Sequence, residues 1–337
     1  MAGVAGLLVS DSAVTSGLVR TLERLRDLQG AEGQIASNFE MRQGQPHVSF
    51  GTLAPRLDAA TWYLVGIALA TRAGALDPAA YRESAARVVR LLDALEYNGR
   101  HLFYVPAGGN WADEYVYDGY ILSDQVLRAW ALRLCGAAFG EPTWETKSRA
   151  IGQRVAEAYR PAADAPRAHP PASFSPLGVR DTFDLAACAL LALSGVAPVL
   201  GDLALDYVER DFLEPGRLPP AFHPVIHERD SEWPALQRYQ LHGFRNRPHE
   251  YHNGGVWPVW LGWLALAHAR AGRSGDLARL RMLMDGRLRA LDAFDFEEYF
   301  HGETGEPLGT PRMAYTATGL VFLEVADAPR TLQLLEG

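Results

Sequence analysis

The chain alternates helix-type patterns of apolar residues with polar loops of unequal length. Apolar residues recur at helical spacing from Leu18 to Leu25, which predicts a first amphipathic helix that Gly30 would end. Asp77 followed by Pro78 is typical of a helix start. Helical patterns also cover residues 57–73, 78–95, 120–135, 143–159, 183–194, 200–212, 257–271, 275–291 and 314–326. Because no alternating strand series is evident, the sequence predicts an all-α fold.

Five long loops separate these helices and contain the unusual polar residues. They are residues 30–56, 98–119, 161–180, 214–256 and 292–313. Helical hairpins arranged in a closed ring, an (α/α)6 toroid, would place the five loops around one cavity, although a right-handed helical solenoid gives a similar pattern. The segment 161–176 holds five prolines and resembles a linker. Since the helical pattern resumes unchanged beyond it, we predict one domain spanning residues 1–337.

Composition narrows the possible partners and the compartment. Of 337 residues, 48% are hydrophobic and 21% charged, a globular balance. The net charge of -8 and the lack of a basic block argue against nucleic acid. The longest uncharged run, 185–201, is interrupted by Gly195 and Pro198, and the N-terminus lacks the basic region of a secretory signal. Cys135 and Cys188 lie in apolar helical runs and are predicted to be buried thiols. We therefore predict a cytoplasmic protein with no membrane partner.

Acidic and aromatic residues are interleaved in the segment GGNWADEYVYDGYILSDQ, residues 108–125, directly before a helix. Aromatic faces stack on sugar rings, and carboxylates bind hydroxyls or move protons, so this pattern is typical of a carbohydrate site. A solvated acidic loop whose tyrosines cover the core is the alternative. Glu297 and Glu298 stand in a second such segment, for which a plain surface turn is the alternative.

Three other aspartates stand at predicted helix starts, where a capping role competes with ligand binding. Asp58 precedes an apolar helix. Asp181 and Asp184 precede another, and one of them is expected to be a simple N-cap.

The histidines do not form a recognised metal motif. His223 and His227 are four residues apart, but Pro224 between them opposes a regular helix that would present both rings. His249 and His252 are three apart, and neither pair matches the HExxH arrangement. No P-loop, dinucleotide fingerprint or GxSxG motif occurs, so we predict no metal and no cofactor.

Several blocks of the chain resemble the alkaline and neutral invertases of glycoside hydrolase family 100 and, more loosely, other six-hairpin glycosidases. The blocks are RLDAATWYLVGIALATRAG, NWADEYVYDGYILSDQVLRAWAL, RDTFDLAACALLAL, HNGGVWPVWLGWLALA and FEEYFHGETGEPLG followed by AYTATGLVFLEVA. The resemblance implies a toroid, a general acid at Asp113 and a catalytic base at Glu298. It further implies sugar contacts, for which the candidate residues are Asp58, Trp62, Trp111, Tyr115, Asp184, His252, Asn253, Trp257 and Arg312.

Inverting glycoside hydrolysis needs one protonated acid and one ionised base, roughly 6.5 to 9.5 Å apart. Asp113 stands near Trp111 and Tyr115, and desolvation by these rings is expected to raise its pKa. Glu298 needs hydrogen-bond donors, and Arg312 is the predicted one. We therefore predict an inverting α-glucosidase for a small glucoside, with sucrose as the candidate substrate.

Two alternatives remain open at this stage. A sugar epimerase of the same toroid shape would use histidines such as His252 and His301 as acid and base. A carbohydrate-binding protein without catalysis would keep the aromatic residues and lose the turnover. The sequence makes no prediction of oligomeric state.

Overall fold

The computed structural model describes residues 1–96, 99–161, 168–238, 240 and 243–336. Residues 162–167 of the proline-rich segment lie outside this range. The described residues are mostly helical, and their helices are α1 (Ala2–Val9), α2 (Ser12–Asp27), α3 (Leu57–Arg72), α4 (Arg82–Ala94), α5 (Leu122–Phe139), α6 (Pro142–Ala158), α7 (Leu185–Ser194), α8 (Pro198–Val208), α9 (Trp233–Leu236), α10 (Pro258–Arg270), α11 (Ser274–Arg289), α12 (Ala314–Val325) and α13 (Pro329–Leu335). A 3₁₀ helix, Pro78–Ala80, precedes α4, and a π-helical segment, Glu209–Leu213, follows α8.

Six helices contact one another in a cyclic order. α1 contacts α3, which contacts α5; the series continues through α7, α10 and α12, and α12 contacts α1. In α7 and α10 almost every residue is buried, as their nearly uniform apolar sequences predict. The outer helices α2, α6, α8 and α11 each pack against the helix that precedes them.

Local sequence explains where these helices begin and end. In α7 the Asp184 carboxylate accepts a hydrogen bond from the Ala187 N–H at 3.2 Å, which confirms that one of the two aspartates is an N-cap. The same helix ends at Gly195, whose φ of 63° lies in the left-handed region. Between α10 and α12, a Cβ added to Gly262 would lie 2.5 Å from the Gly319 carbonyl oxygen. This close backbone approach requires glycine.

Short antiparallel strands in the long loops correct the all-α prediction. They are β1 (Asn38–Arg42) with β2 (Gln45–Ser49); β3 (Tyr120–Ile121) with β4 (Ser173–Ser175), which also pairs with β5 (Gly178–Arg180); β6 (Phe183–Asp184) with β7 (Phe222–His223); and β8 (Tyr299–Phe300) with β9 (Pro307–Leu308). Two- and three-residue strands are too short to show an alternating pattern, and β1 and β2 are largely exposed on both faces. The helices α1, α9 and α13 were also not predicted.

The buried apolar residues form one cluster that extends from Val4 to Leu335. Cys135 and Cys188 are buried free thiols, as predicted. Within the described part of the chain, no helix combines the length and apolar character that crossing a membrane requires.

Candidate active site

Arg56 holds two carboxylates at the start of α3. Its Nε and Nη2 donate to the two oxygens of Asp58 at 3.0 and 3.2 Å, and its Nη1 donates to Asp113 Oδ2 at 3.1 Å. Asp58 lies inside the first turn of α3, and Arg56 occupies the N-cap position, so the capping alternative for Asp58 was wrong. The Asp58 carboxylate instead orients the guanidinium that reaches Asp113.

Asp113 has the electrostatic character expected of a general acid. Burial raises its pKa, Arg56 opposes this rise, and the negative charge of Glu114 reinforces it. About a fifth of its side chain, 21%, remains exposed. It lines a cavity of about 380 Å³, and the other charged residues of that cavity are Arg56, Asp58, Glu114 and Arg245.

The next residue, Glu114, is almost fully buried and pairs with an arginine from a distant loop. Arg245 Nη2 lies 3.0 Å from Glu114 Oε1, and Arg245 Nε donates to Oε2 at 3.3 Å. The Asn246 side chain donates to the Glu114 carbonyl at 2.8 Å. The guanidinium of Arg245 also lies over the Tyr251 ring, 4.0 Å from its centroid. Asp113 and Glu114, although consecutive in the sequence, thus pair with different arginines, Arg56 and Arg245.

Glu298 is 8% exposed and is held by two donors. The Tyr315 hydroxyl donates to Oε1 at 2.8 Å and the Thr310 N–H to Oε2 at 3.3 Å. The prediction that Arg312 supplies these donors was wrong. Arg312 Nε pairs with Asp295 at 3.0 Å, and its side chain is 82% exposed. The backbone explains this pairing, because the Arg312 N–H also donates to the Asp295 carbonyl at 2.6 Å.

Tyr251 lies near both candidate catalytic carboxylates. Burial raises the pKa of its hydroxyl, the charges of Glu298 and Asp113 raise it further, and Arg245 opposes them. Arg245 in turn interacts with the charge of Glu298 and lowers the pKa of Asp113. The fold therefore brings Asp113 and Glu298, from different loops, to the same tyrosine and arginine.

Aromatic rings surround these charges. Trp111 lies parallel to Phe222 at 5.7 Å and edge-on to Trp257 at 5.6 Å. Trp257 stacks on Tyr299 at 5.6 Å, and its Nε1 donates to the Tyr251 carbonyl at 2.9 Å. Trp111 is only partly buried and packs against the core. This arrangement suits a platform for a sugar ring.

Three predicted sugar contacts pack against aromatic or helical neighbours, and two of them, Tyr115 and Asp184, are buried. Tyr115 is 1% exposed and stacks on Phe222 at 4.1 Å. Trp62 packs against Trp260 and Trp263 and lines a separate cavity between α1, α2 and α3. Asp184 caps α7, and burial raises its pKa to about 7. In this structure these side chains support the helical core.

Asn253 has a structural role in place of the predicted sugar contact. Its Nδ2 donates to the carbonyls of Ile226 at 2.8 Å and Asn246 at 3.1 Å, and its Oδ1 accepts from the Ile226 N–H at 2.8 Å. Both N–H bonds of the Asn253 side-chain amide therefore donate to backbone carbonyls. Its neighbour His252 is 1% exposed, with its ring 4.0 Å from that of Tyr251, and burial lowers its pKa well below the usual value. Burial therefore favours the neutral form of His252.

Four other candidate histidines lie in loop contacts. A ring nitrogen of His223 is hydrogen-bonded to the Tyr207 hydroxyl at 2.9 Å. The ring of His249 lies 5.9 Å from that of His227 and 5.8 Å from that of His301. No group of three or more His, Cys, Asp or Glu residues in the described ranges is arranged to hold a metal ion. The metal-free site stays a prediction.

Sequence reasoning missed three residues of this site, Arg56, Arg245 and Tyr315, and it indicated Tyr251 only as the first residue of a predicted substrate-binding loop that ends at Pro258. Arg56 stood two positions before a highlighted aspartate, and Tyr315 was the second residue of the last recognised block. Arg245 is one of several arginines in a long irregular loop, where no periodic signal distinguishes it.

Comparison with known proteins relates this chain to glycosidases. The family model for alkaline and neutral invertases matches residues 223–327. Glucosylglycerate hydrolase from Mycolicibacterium hassiacum is 41% identical over 76 residues, which is 22% of this chain and 16% of that protein. Probable alkaline/neutral invertase D from Arabidopsis thaliana is 30% identical over 135 residues, 38% of this chain and 23% of that protein. The matches thus span less than a quarter of either relative.

Solved structures match over nearly the whole chain. The mannosylglycerate hydrolase of family GH63 from Thermus thermophilus, in complex with glucose, has a TM-score of 0.65 and 13% identity, covering 96% of this chain and 91% of that one. A bacterial glucoamylase complexed with acarbose has a TM-score of 0.66 and 13% identity, covering 99% of this chain and 49% of that one. At such identities the likeness shows the fold. Together with the family match, it makes this chain a six-hairpin glycosidase-like protein, as the sequence blocks predicted.

Proposed function

We propose that this protein is a glycoside hydrolase that cleaves a small α-glucoside with inversion, using Asp113 as general acid and Glu298 as general base. The observation that carries the proposal is that Arg245, which lies over the Tyr251 ring and lines the same cavity as Asp113, interacts electrostatically with both Asp113 and Glu298 although these carboxylates come from different loops. The sequence similarity to two glycosidases, a glucosylglycerate hydrolase and an invertase, supports the same reaction class.

The reaction divides between the two carboxyl groups. Protonated Asp113 gives its proton to the leaving oxygen as the bond from that oxygen to the anomeric carbon breaks. Ionised Glu298, held by Tyr315 and Thr310, takes a proton from the water whose oxygen bonds to the opposite face of that carbon. Return of the proton from Glu298 to solvent and reprotonation of Asp113 complete the cycle. Trp111, two positions before Asp113 in the sequence, is the proposed platform for the sugar ring.

The architecture belongs to the same proposal. We take residues 1–337 as a single domain with an (α/α)6 toroid, in which α1, α3, α5, α7, α10 and α12 form the inner ring. The cyclic order of helix contacts and the continuous core support it. Two buried free thiols are in keeping with a cytoplasmic location.

The identity of the leaving group separates two substrate candidates. In the cavity beside Asp113, Arg56 and Arg245 are each paired with a carboxylate. A cavity whose cations are already neutralised favours a neutral glucoside such as sucrose. The similarity to a glucosylglycerate hydrolase favours an acidic leaving group, which would have to compete with Asp58 or Glu114 for an arginine.

The epimerase alternative has less support. His252 is buried against Tyr251, and the Nδ1 of His301 accepts the backbone N–H groups of Glu303 and Thr304.

The test is to incubate the purified chain with sucrose, glucosylglycerate and other α-glucosides and to measure released glucose and its anomeric form. Asp113→Asn and Glu298→Gln should each lower turnover about 10² to 10⁴-fold, the usual contribution of acid–base catalysis. α-Glucosyl fluoride, whose leaving group needs no proton, should restore activity to Asp113→Asn but not to Glu298→Gln.

Glu297→Gln is the matched control for this experiment. The Glu297 carboxylate accepts the backbone N–H of Asp295 and is not held by Tyr315, so this variant should keep turnover within about threefold of the original. Near-normal turnover in both Asp113→Asn and Glu298→Gln would exclude the assignment.

A further inference from the structure

An ion pair with a buried carboxylate stands beside the proposed general acid. The Glu114 side chain is 2% exposed, that of Arg245 is 34% exposed, and both Glu114 oxygens are within 3.3 Å of Arg245 nitrogens. Removal of Arg245 would leave the Glu114 charge with little solvent, so the pair is expected to stay intact in the folded protein. The Tyr251 ring under the guanidinium and the bond from Asn246 to the Glu114 carbonyl fix it further.

The Arg245 cation faces the charged groups of the site from several elements. The groups on which its charge acts, or which act on it, are Asp113, Glu114, Glu298, Tyr251, His252, Tyr299 and Tyr315. Asp113 is faced in addition by Arg56 and Asp58. Arg245 is therefore a charge shared by the proposed acid and the proposed base.

We infer that the pair of Glu114 and Arg245 positions a charge beside the proposed general acid: Glu114 binds the Arg245 guanidinium in the wall of the cavity that Asp113 also lines, so that Arg245 forms no ion pair with Asp113. This inference rests on the proposed function. Neither residue needs to touch the substrate, so both are positioning residues.

The geometry explains why an arginine and a glutamate are needed together. A free cation at this place would be drawn to Asp113 and would favour its ionised form, which cannot donate a proton. Because Glu114 binds the guanidinium at two oxygens, Arg56 is the only described residue that makes a direct cationic contact with Asp113. The charge of Glu114 raises the pKa of Asp113, and that of Arg245 lowers it, so the two effects oppose each other.

The experiment changes one charge at a time and follows pH. Arg245→Gln should move the alkaline limb of the kcat profile, which reports the acid, up by about 0.5–1 pH unit, and Glu114→Gln should move it down by a similar amount. The double variant should return the limb close to its original position. Arg245→Lys keeps the charge, so the limb should stay in place while kcat falls with the lost two-point contact.

A second readout separates this inference from the hydrolase proposal. The carboxyl carbon of Asp113, assigned by its loss in Asp113→Asn, is titrated by ¹³C NMR in the same variants. If the titration midpoint of Asp113 shifts in opposite directions in Arg245→Gln and Glu114→Gln, the inference is supported. This holds even if no glycoside is cleaved, because the absence of cleavage would refute only the proposed hydrolase function. If both folded variants titrate like the original chain, or shift in the same direction, the inference is overturned. Should Glu114→Gln fail to fold, the same NMR titration compares Arg245→Gln with Arg245→Lys. A shift of the Asp113 titration in Arg245→Gln alone supports the inference, and no difference between the two variants overturns it.

Discussion

Replacing Asn253 by alanine tests whether this residue holds the site loops together or binds sugar. The substitution removes three hydrogen bonds to the backbone of Ile226 and Asn246. At roughly 0.5–1.5 kcal/mol net for each bond, and with buried backbone groups left without a partner, we expect a loss of about 2–4 kcal/mol in the free energy of unfolding. For a chain of this length, that corresponds to a fall of about 3–6 °C in Tm.

The assay combines urea and thermal unfolding with steady-state kinetics. Asn253→Asp is a second test variant. Its carboxylate keeps an acceptor for the Ile226 N–H, but its other oxygen replaces the Nδ2 donor and faces the carbonyl oxygens of Ile226 and Asn246, which it repels. It should be at least as unstable at neutral pH. The exposed Asn38→Ala is the matched control and should change stability by no more than about 0.5 kcal/mol. If Asn253→Ala keeps its Tm within about 1 °C while KM rises, Asn253 contacts the substrate and the structural role is refuted.

Two further predictions concern a donor and a buried acid. Tyr315→Phe removes the hydroxyl that donates to Glu298 and should lower kcat about tenfold, since a hydrogen bond to a charged group contributes about 1.5–3 kcal/mol. Arg312→Ala, which breaks the pair with Asp295, is the control. Equal losses of kcat in both variants would contradict the role assigned to Tyr315. Asp184 has a pKa of about 7 in the folded chain against 3.8 in the reference, so its contribution to stability is present at low pH and is lost as pH rises through about 4 to 7. Asp184→Asn keeps an N-cap acceptor but has no titrating carboxyl group, so its free energy of unfolding should lack that decrease between pH 5 and pH 8. If the variant loses as much stability over this range as the original chain, Asp184 is not the source of the decrease.

Helix positions could be predicted well because their signals are local. The helix predicted at 57–73 is observed at Leu57–Arg72, and the one predicted at 257–271 begins at Pro258 and ends at Arg270. Their periodicity, the glycines that follow them and the proline in the first turn of the second helix act within a few residues of chain. The strand pairs β3 with β4 and β6 with β7 could not be predicted, because each pairing depends on which distant segments lie beside each other.

The residues of the candidate site could likewise be predicted only in part. The local sequence predicted where acids and aromatic rings accumulate, and the resemblance to invertases singled out Asp113 and Glu298 among them. The partners of the carboxylates depend on the folded chain: Tyr315 and Thr310 for Glu298 in place of Arg312, and Arg245 for Glu114. A buried carboxylate or amide must find its hydrogen-bond partners among whatever groups the packed loops bring near it. Those groups come from distant parts of the chain, and no local pattern identifies them.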